Sequence, residues 1–85
     1  NEVQKMENIQ KKLVDRINDL CNEKNYTYYE LAYKAAMPMS TLMHIMDGSS
    51  RNPGIWNIYK ICQGLDISLK ELFDFDDSDD WVTED

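Results

Sequence analysis

The stretch Thr27–Pro53, TYYELAYKAAMPMSTLMHIMDGSSRNP, decides how the chain is read. Almost every position in it has a local physical reason. The hydroxyl of Thr27 can accept a backbone N–H of the next turn, and Glu30, three residues on, can reach back to the Thr27 amide. Together they predict a capping box. Leu31, Ala32 and Ala35 follow as a small apolar stripe at helical spacing. Pro38 cannot continue a helical ladder and pushes Met37 out of the helical region, so the first helix ends across Ala36-Met37-Pro38. Proline fits the start of a new helix, which places the second one over 38–46. Gly48 is its left-handed stop.

At 100° per residue the second helix sorts into two faces. Leu42 and Ile45 share one, flanked by Met46 and Thr41. Ser40, Met43, His44 and Asp47 point the other way, with Met39 at the edge. Two helices joined by three to four residues, the second with a polar outer face, make a helix-turn-helix. That outer face is where such a unit would meet the major groove of DNA.

A longer pattern surrounds this unit. Glu30-Leu31-Ala32, the small pair Ala35-Ala36, Ser40-Thr41-Leu42, Gly48 and Asn52-Pro53 are followed by Ile55, Ile58, Lys60-Ile61-Cys62, Gly64-Leu65, Ile67-Ser68-Leu69 and Glu71-Leu72-Phe73. In that order and spacing they resemble the Cro and phage-repressor (XRE-like) helix-turn-helix family over roughly residues 9 to 74. The resemblance implies an all-α, five-helix domain that binds duplex DNA. It implies a third helix in the major groove, phosphates gripped by the second helix and the loop after the third, and a homodimer on paired half-sites. It places Met39, Ser40, Met43 and His44 where base edges are read. Two residues depart from the family. Ala36 stands where glycine is usual, and a left-handed alanine costs roughly 1 kcal/mol. Asp47 faces the expected phosphates and would repel them at low salt.

The chemistry of these side chains fits, within limits. Ser40 donates to or accepts from several bases, the two methionines can pack on thymine methyls, and His44 can hydrogen-bond a purine acceptor. None of the four is Arg, Gln or Asn, the strong bidentate readers, so an ordinary exposed face that touches nothing stays open. Thr27, Tyr28 and Tyr29 open the second helix, where free amides and hydroxyls can meet a phosphate. Thr41, Ser49, Ser50, Arg51 and Asn52 cluster on the other side of the reading helix. Such contacts set register rather than sequence. For Arg51 a phosphate contact is favoured over a plain exposed cation, and Lys34 and Lys24 are weaker candidates.

Composition bounds the rest. Eighty-five residues make one small domain, and 42% apolar residues with nine aromatics make it globular. No apolar run approaches the ~18 residues of a membrane span, so a cytoplasmic protein is expected. Cys21 and Cys62 lie far apart on apolar stripes, no C-x-x-C pair exists, and His44 is the lone histidine. Small buried thiols are expected, with neither zinc nor any other cofactor. Three glycines leave no phosphate-cradling loop, and His44 has no evident nucleophile partner, which excludes an enzyme. The net charge is −7, but residues 74–85 carry seven acids and no base. The first 73 residues therefore balance at nine of each sign, a faint footprint for a DNA binder.

Residues 1–5 are expected to be leader or added residues ahead of a start at Met6. Residues 6–75 form the domain and 76–85 an acidic tail. Met6, Ile9, Leu13, Ile17 and Leu20 predict a long amphipathic first helix ended by Asn25, with Lys11, Lys12, Asp15, Arg16 and Asp19 on a solvated face. Ile55, Ile58, Ile61, Cys62 and Leu65 share one side of a fourth helix, with Gly64 near its end. Ser68 and Glu71 form a second capping box that opens a fifth. The first helix, Phe73 with Phe75, and Trp56 or Tyr59 are candidate dimer surfaces; Trp56 fits a half-buried core place equally well. The tail reads as a solvated end, as a cover over the reading face, or as a site for a protein partner through Trp81. Its Asp74-x-Asp76-x-Ser78 spacing only faintly echoes a calcium loop, because Asp79 replaces the glycine. Alternative functions are an interaction module that kept this fold without DNA, and an antitoxin whose tail binds a toxin.

Overall fold

A computed structural model describes residues 2–78. Within them five helices follow one another with no strand: α1 (Glu2–Lys24), α2 (Tyr28–Lys34), α3 (Met39–Met46), α4 (Ile55–Leu65) and α5 (Leu69–Leu72). None is long and apolar enough to cross a membrane. Residues 79–85, with Trp81 and the partner-binding and covering readings of the tail, lie outside the described residues.

The long stripe of α1 is buried only over its later turns. Leu13, Ile17, Leu20 and Cys21 enter the core, while Met6 and Ile9 remain 46% and 36% exposed. The helix begins at Glu2, ahead of Met6. Asn25 ends it at φ 58°, as its tolerance of the left-handed region allows, and the Tyr26 amide returns to the Cys21 carbonyl at 2.9 Å. Two residues of the expected solvated face are tertiary ties instead. Arg16 Nη2 donates to the Glu71 carbonyl at 2.7 Å and Lys12 Nζ to the Asp76 carbonyl at 3.0 Å, so both bind α1 to the α5 end.

The apolar faces of α2, α3, α4 and α5 close over that stripe. Ile17, Leu31, Leu42, Ile61, Leu65 and Leu72 are fully buried, each stabilising the fold by roughly 1.5–3 kcal/mol. Cys21 and Cys62 are buried free thiols, and burial pushes both up from the ordinary thiol value. They stay protonated and unreactive.

The α2–α4 contact depends on Gly64. A Cβ there would stand 2.9 Å from the Ala35 amide nitrogen and 3.1 Å from both Ala35 Cβ and Leu31 Cδ1. Gly64 therefore marks a close approach inside α4, and the left-handed stop is Asp66 at φ 57°. Ile55 corrects the sequence reading. It shares the α4 apolar side in spacing, yet it is 71% exposed because it opens the helix one turn ahead of the packed segment. Trp56 is 64% exposed and stacks on Tyr59, with ring centroids 5.8 Å apart, so it lies outside the core.

Candidate nucleic-acid interface

The geometry of the reading helix is set by the turn before it. Thr27 and Glu30 form the expected capping box, which starts α2. At its far end the Ala36 amide bonds the Tyr33 carbonyl and the Met37 amide bonds the Ala32 carbonyl, at 3.1 and 3.0 Å. Ala36 sits at φ 53°, the left-handed conformation that glycine would take at lower cost. Lys60 Nζ donates to its carbonyl at 3.1 Å, a tie from α4 that helps hold the strained turn. Met37 is buried as the anchor of the corner. Pro38 is the N-cap of α3 rather than its first helical residue, and its carbonyl accepts Thr41 and Leu42 amides at 3.1 and 3.2 Å.

With Leu42 and Ile45 buried beneath it, α3 presents Met39, Ser40 and His44 to solvent, and Met43 and Thr41 at half exposure. Met43 is thus less open than the helical wheel implies. Gly48 takes φ 84° after α3 and turns the chain into the loop. There the Ser50 amide returns to the His44 carbonyl at 2.8 Å, and the Gln10 side-chain amide on α1 donates to the Ser50 carbonyl. Thr41, His44, Ser49 and Ser50 come together around one cleft, completed by Asn57 of α4. Sequence reasoning missed Asn57. Its place in the first turn of a helix that starts at Gly54, without a side-chain cap, was the available signal.

Asp47 is exposed but engaged. Its Oδ1 accepts the Ser49 hydroxyl at 2.6 Å and the Ser49 amide at 2.8 Å. The hydroxyl first, then the amide, hold this carboxyl below the usual aspartate value. The Ser49 hydroxyl oxygen also lies 2.9 Å from His44 Nδ1. Arg51 pairs with Glu7 of α1 at 3.2 Å, both side chains about half exposed, and Asn52 is exposed beside it.

At the other end of the unit the candidates divide. Tyr29 is 72% exposed, while the half-buried Tyr28 donates its hydroxyl to Asn18 of α1. The Thr27 hydroxyl serves the cap, and the Lys34 ammonium lies over the Tyr26 ring, 5.1 Å from its centroid. Tyr33, 81% exposed, is a further residue that the sequence reading passed over. In the 74–78 segment, Asp76 accepts the Ser78 amide and hydroxyl at 3.0 and 2.8 Å. No group of three potential metal ligands occurs among the described residues.

A two-helix unit with a buried corner, an outward polar face and a polar loop at its end is the arrangement that enters a DNA groove. A sequence profile of the Cro/C1-type HTH DNA-binding domain matches residues 16–78, about three quarters of the chain. The chain belongs to the Cro/C1-type HTH DNA-binding domain family. No curated protein and no solved structure matches it. This Cro/C1-type domain is a DNA-binding module and not an enzyme. The match opens midway along α1, so Glu7 and Gln10, which hold the loop after α3, lie ahead of the part that defines the family.

Proposed function

We propose that the chain is a sequence-specific transcriptional regulator, a repressor, that lays α3 in the major groove. Met39, Ser40, Met43 and His44 meet base edges. The α2 start, with Thr27, Tyr28 and Tyr29, grips phosphates on one side together with Lys34. Thr41 and the loop residues Ser50, Arg51 and Asn52 grip them on the other, while Ser49, whose hydroxyl and amide both go to Asp47, shapes the loop. The observation that carries this reading is the shared cleft at the α3 end, where a serine pair, Thr41, His44 and Asn57 offer polar groups together. Weak individual readers and a balanced charge favour a homodimer on half-sites about 34 Å apart, where two modest grips combine. Its place of work is the cytoplasm, where its DNA lies.

Amide shift mapping against a selected duplex tests the geometry. Changes centred on 39–44 and 47–52 support it, while changes centred on Trp56 and Tyr59 contradict it. One observation favours a second reading, an interaction module without DNA: Glu7 already partners Arg51, the cation of the loop after α3. Arg51→Gln separates the two, because it weakens DNA binding only if the guanidinium leaves Glu7 for a phosphate.

A further inference from the structure

The contact between His44 and Ser49 has a direction. The Ser49 hydroxyl carries one proton, and the Asp47 carboxylate 2.6 Å away is an acceptor only. A hydrogen bond to an ionised acceptor is about twice as strong as a neutral one, so the proton goes there rather than to the His44 carbonyl at 3.4 Å. The serine oxygen then has only lone pairs to offer His44 Nδ1 at 2.9 Å, so Nδ1 must donate. In a neutral imidazole the other nitrogen, Nε2, is then left as an acceptor. The cleft beside the ring adds Thr41, Ser50 and Asn57, all uncharged, and Arg51 faces Glu7. Asp47 is therefore the charge that orients this ring.

We propose that the Asp47–Ser49–His44 chain locks His44 in the Nδ1–H tautomer, so that it reads a base offering an amino donor. In the major groove only adenine N6 and cytosine N4 do so; guanine and thymine present acceptors alone, and adenine adds an N7 acceptor, so cytosine is the most telling choice. This rests on the reading that α3 enters the major groove, and it reverses the expectation that His44 donates to a purine acceptor. Asp47 and Ser49 are positioning residues that act through His44. The aspartate that looks misplaced on a DNA face acquires a role there.

The test has two arms. Long-range proton–nitrogen correlation on the free 85-residue chain at pH 8 should show His44 protonated at Nδ1. Asp47→Ala frees the serine proton to point at Nδ1, and the ring should switch to Nε2–H. In selections from a random duplex pool, the position whose preference disappears in His44→Ala should be adenine or cytosine for the parent protein. Asp47→Ala should move it toward guanine or thymine by about threefold to tenfold, the worth of one hydrogen bond. Loss of a nearby negative charge would raise affinity for every sequence and leave that preference where it was. An Nε2–H ring in the parent protein, or a tautomer and base preference that both ignore Asp47→Ala, overturns the proposal with the groove reading intact. Failure of the parent protein to enrich any sequence overturns the groove reading itself, and the base preference with it.

Discussion

Ala36 carries the clearest local strain in the structure. A left-handed alanine costs about 1–2 kcal/mol, while glycine adds an unfolded-state entropy cost of about 0.5–1 kcal/mol. Ala36→Gly should therefore stabilise the domain by about 0.5 kcal/mol and raise the melting temperature by about 2–4 °C. A melting temperature that falls would mean that the alanine methyl has a packing role its exposure hides. Asp47 makes a prediction about pH. Its carboxyl is held low in the folded protein by the Ser49 hydroxyl, so its contribution is full above about 3.8 and is lost as pH falls through the lower folded value. A carboxyl-detected titration should find Asp47 below that value in the parent protein and raised toward it in Ser49→Ala, where only the residue 49 amide bond remains. Arg51 and Glu7 are each about half exposed, so breaking their pair should cost less than about 1 kcal/mol of stability. In DNA binding, Arg51→Gln should weaken affinity and flatten the salt slope by about 0.9, whereas Glu7→Gln should tighten binding at low salt. Fluorescence anisotropy over a salt series measures both.

Helices were legible in the chain wherever a cap or a breaker is itself a local chemical fact. The Thr27/Glu30 and Ser68/Glu71 boxes, the Met37-Pro38 break and the left-handed Asn25 and Gly48 all stand where residue chemistry puts them. What spacing could not show is where one helix outruns its neighbours. Ile55, Met6 and Ile9 keep the period of their stripes and still face water, because burial needs a facing element as well as a face. Gly64 stands near the end of its helix, as its spacing placed it, but spacing did not show that it makes room for the backbone of another helix. A helical glycine replaced by alanine normally gains up to about 1 kcal/mol. Here the added Cβ meets the Ala35 amide, so Gly64→Ala should instead destabilise by about 1–3 kcal/mol by pushing α2 off α4. Denaturant unfolding gives the sign directly. The candidate interface was legible as a face of α3, but its pairings were not. Glu7 with Arg51 and Gln10 with Ser50 join positions forty or more residues apart, and the Asp47–Ser49–His44 chain exists only once Gly48 turns the loop back.

Over the whole molecule, charge and fold pull in different directions. Nine acids and nine bases balance over residues 1–73, and the seven acids of 74–85 supply the entire net charge. A phosphate lattice repels that segment over about a Debye length, ~10 Å at 0.1 M salt. Ending the chain at Ser78 removes four of those acids and should tighten DNA binding at low salt, with the gain shrinking as salt rises. A gain that persists at high salt would point to a direct cover over α3 instead. The central claim is that this Cro/C1-type domain reads a duplex sequence through α3. Selection from a random duplex pool with the full chain, followed by a salt titration on the enriched sequence, tests it most directly. The expected result is a paired motif with half-sites about one helical turn apart, bound less tightly as salt rises. Absence of any enriched motif at both low and high salt would contradict it.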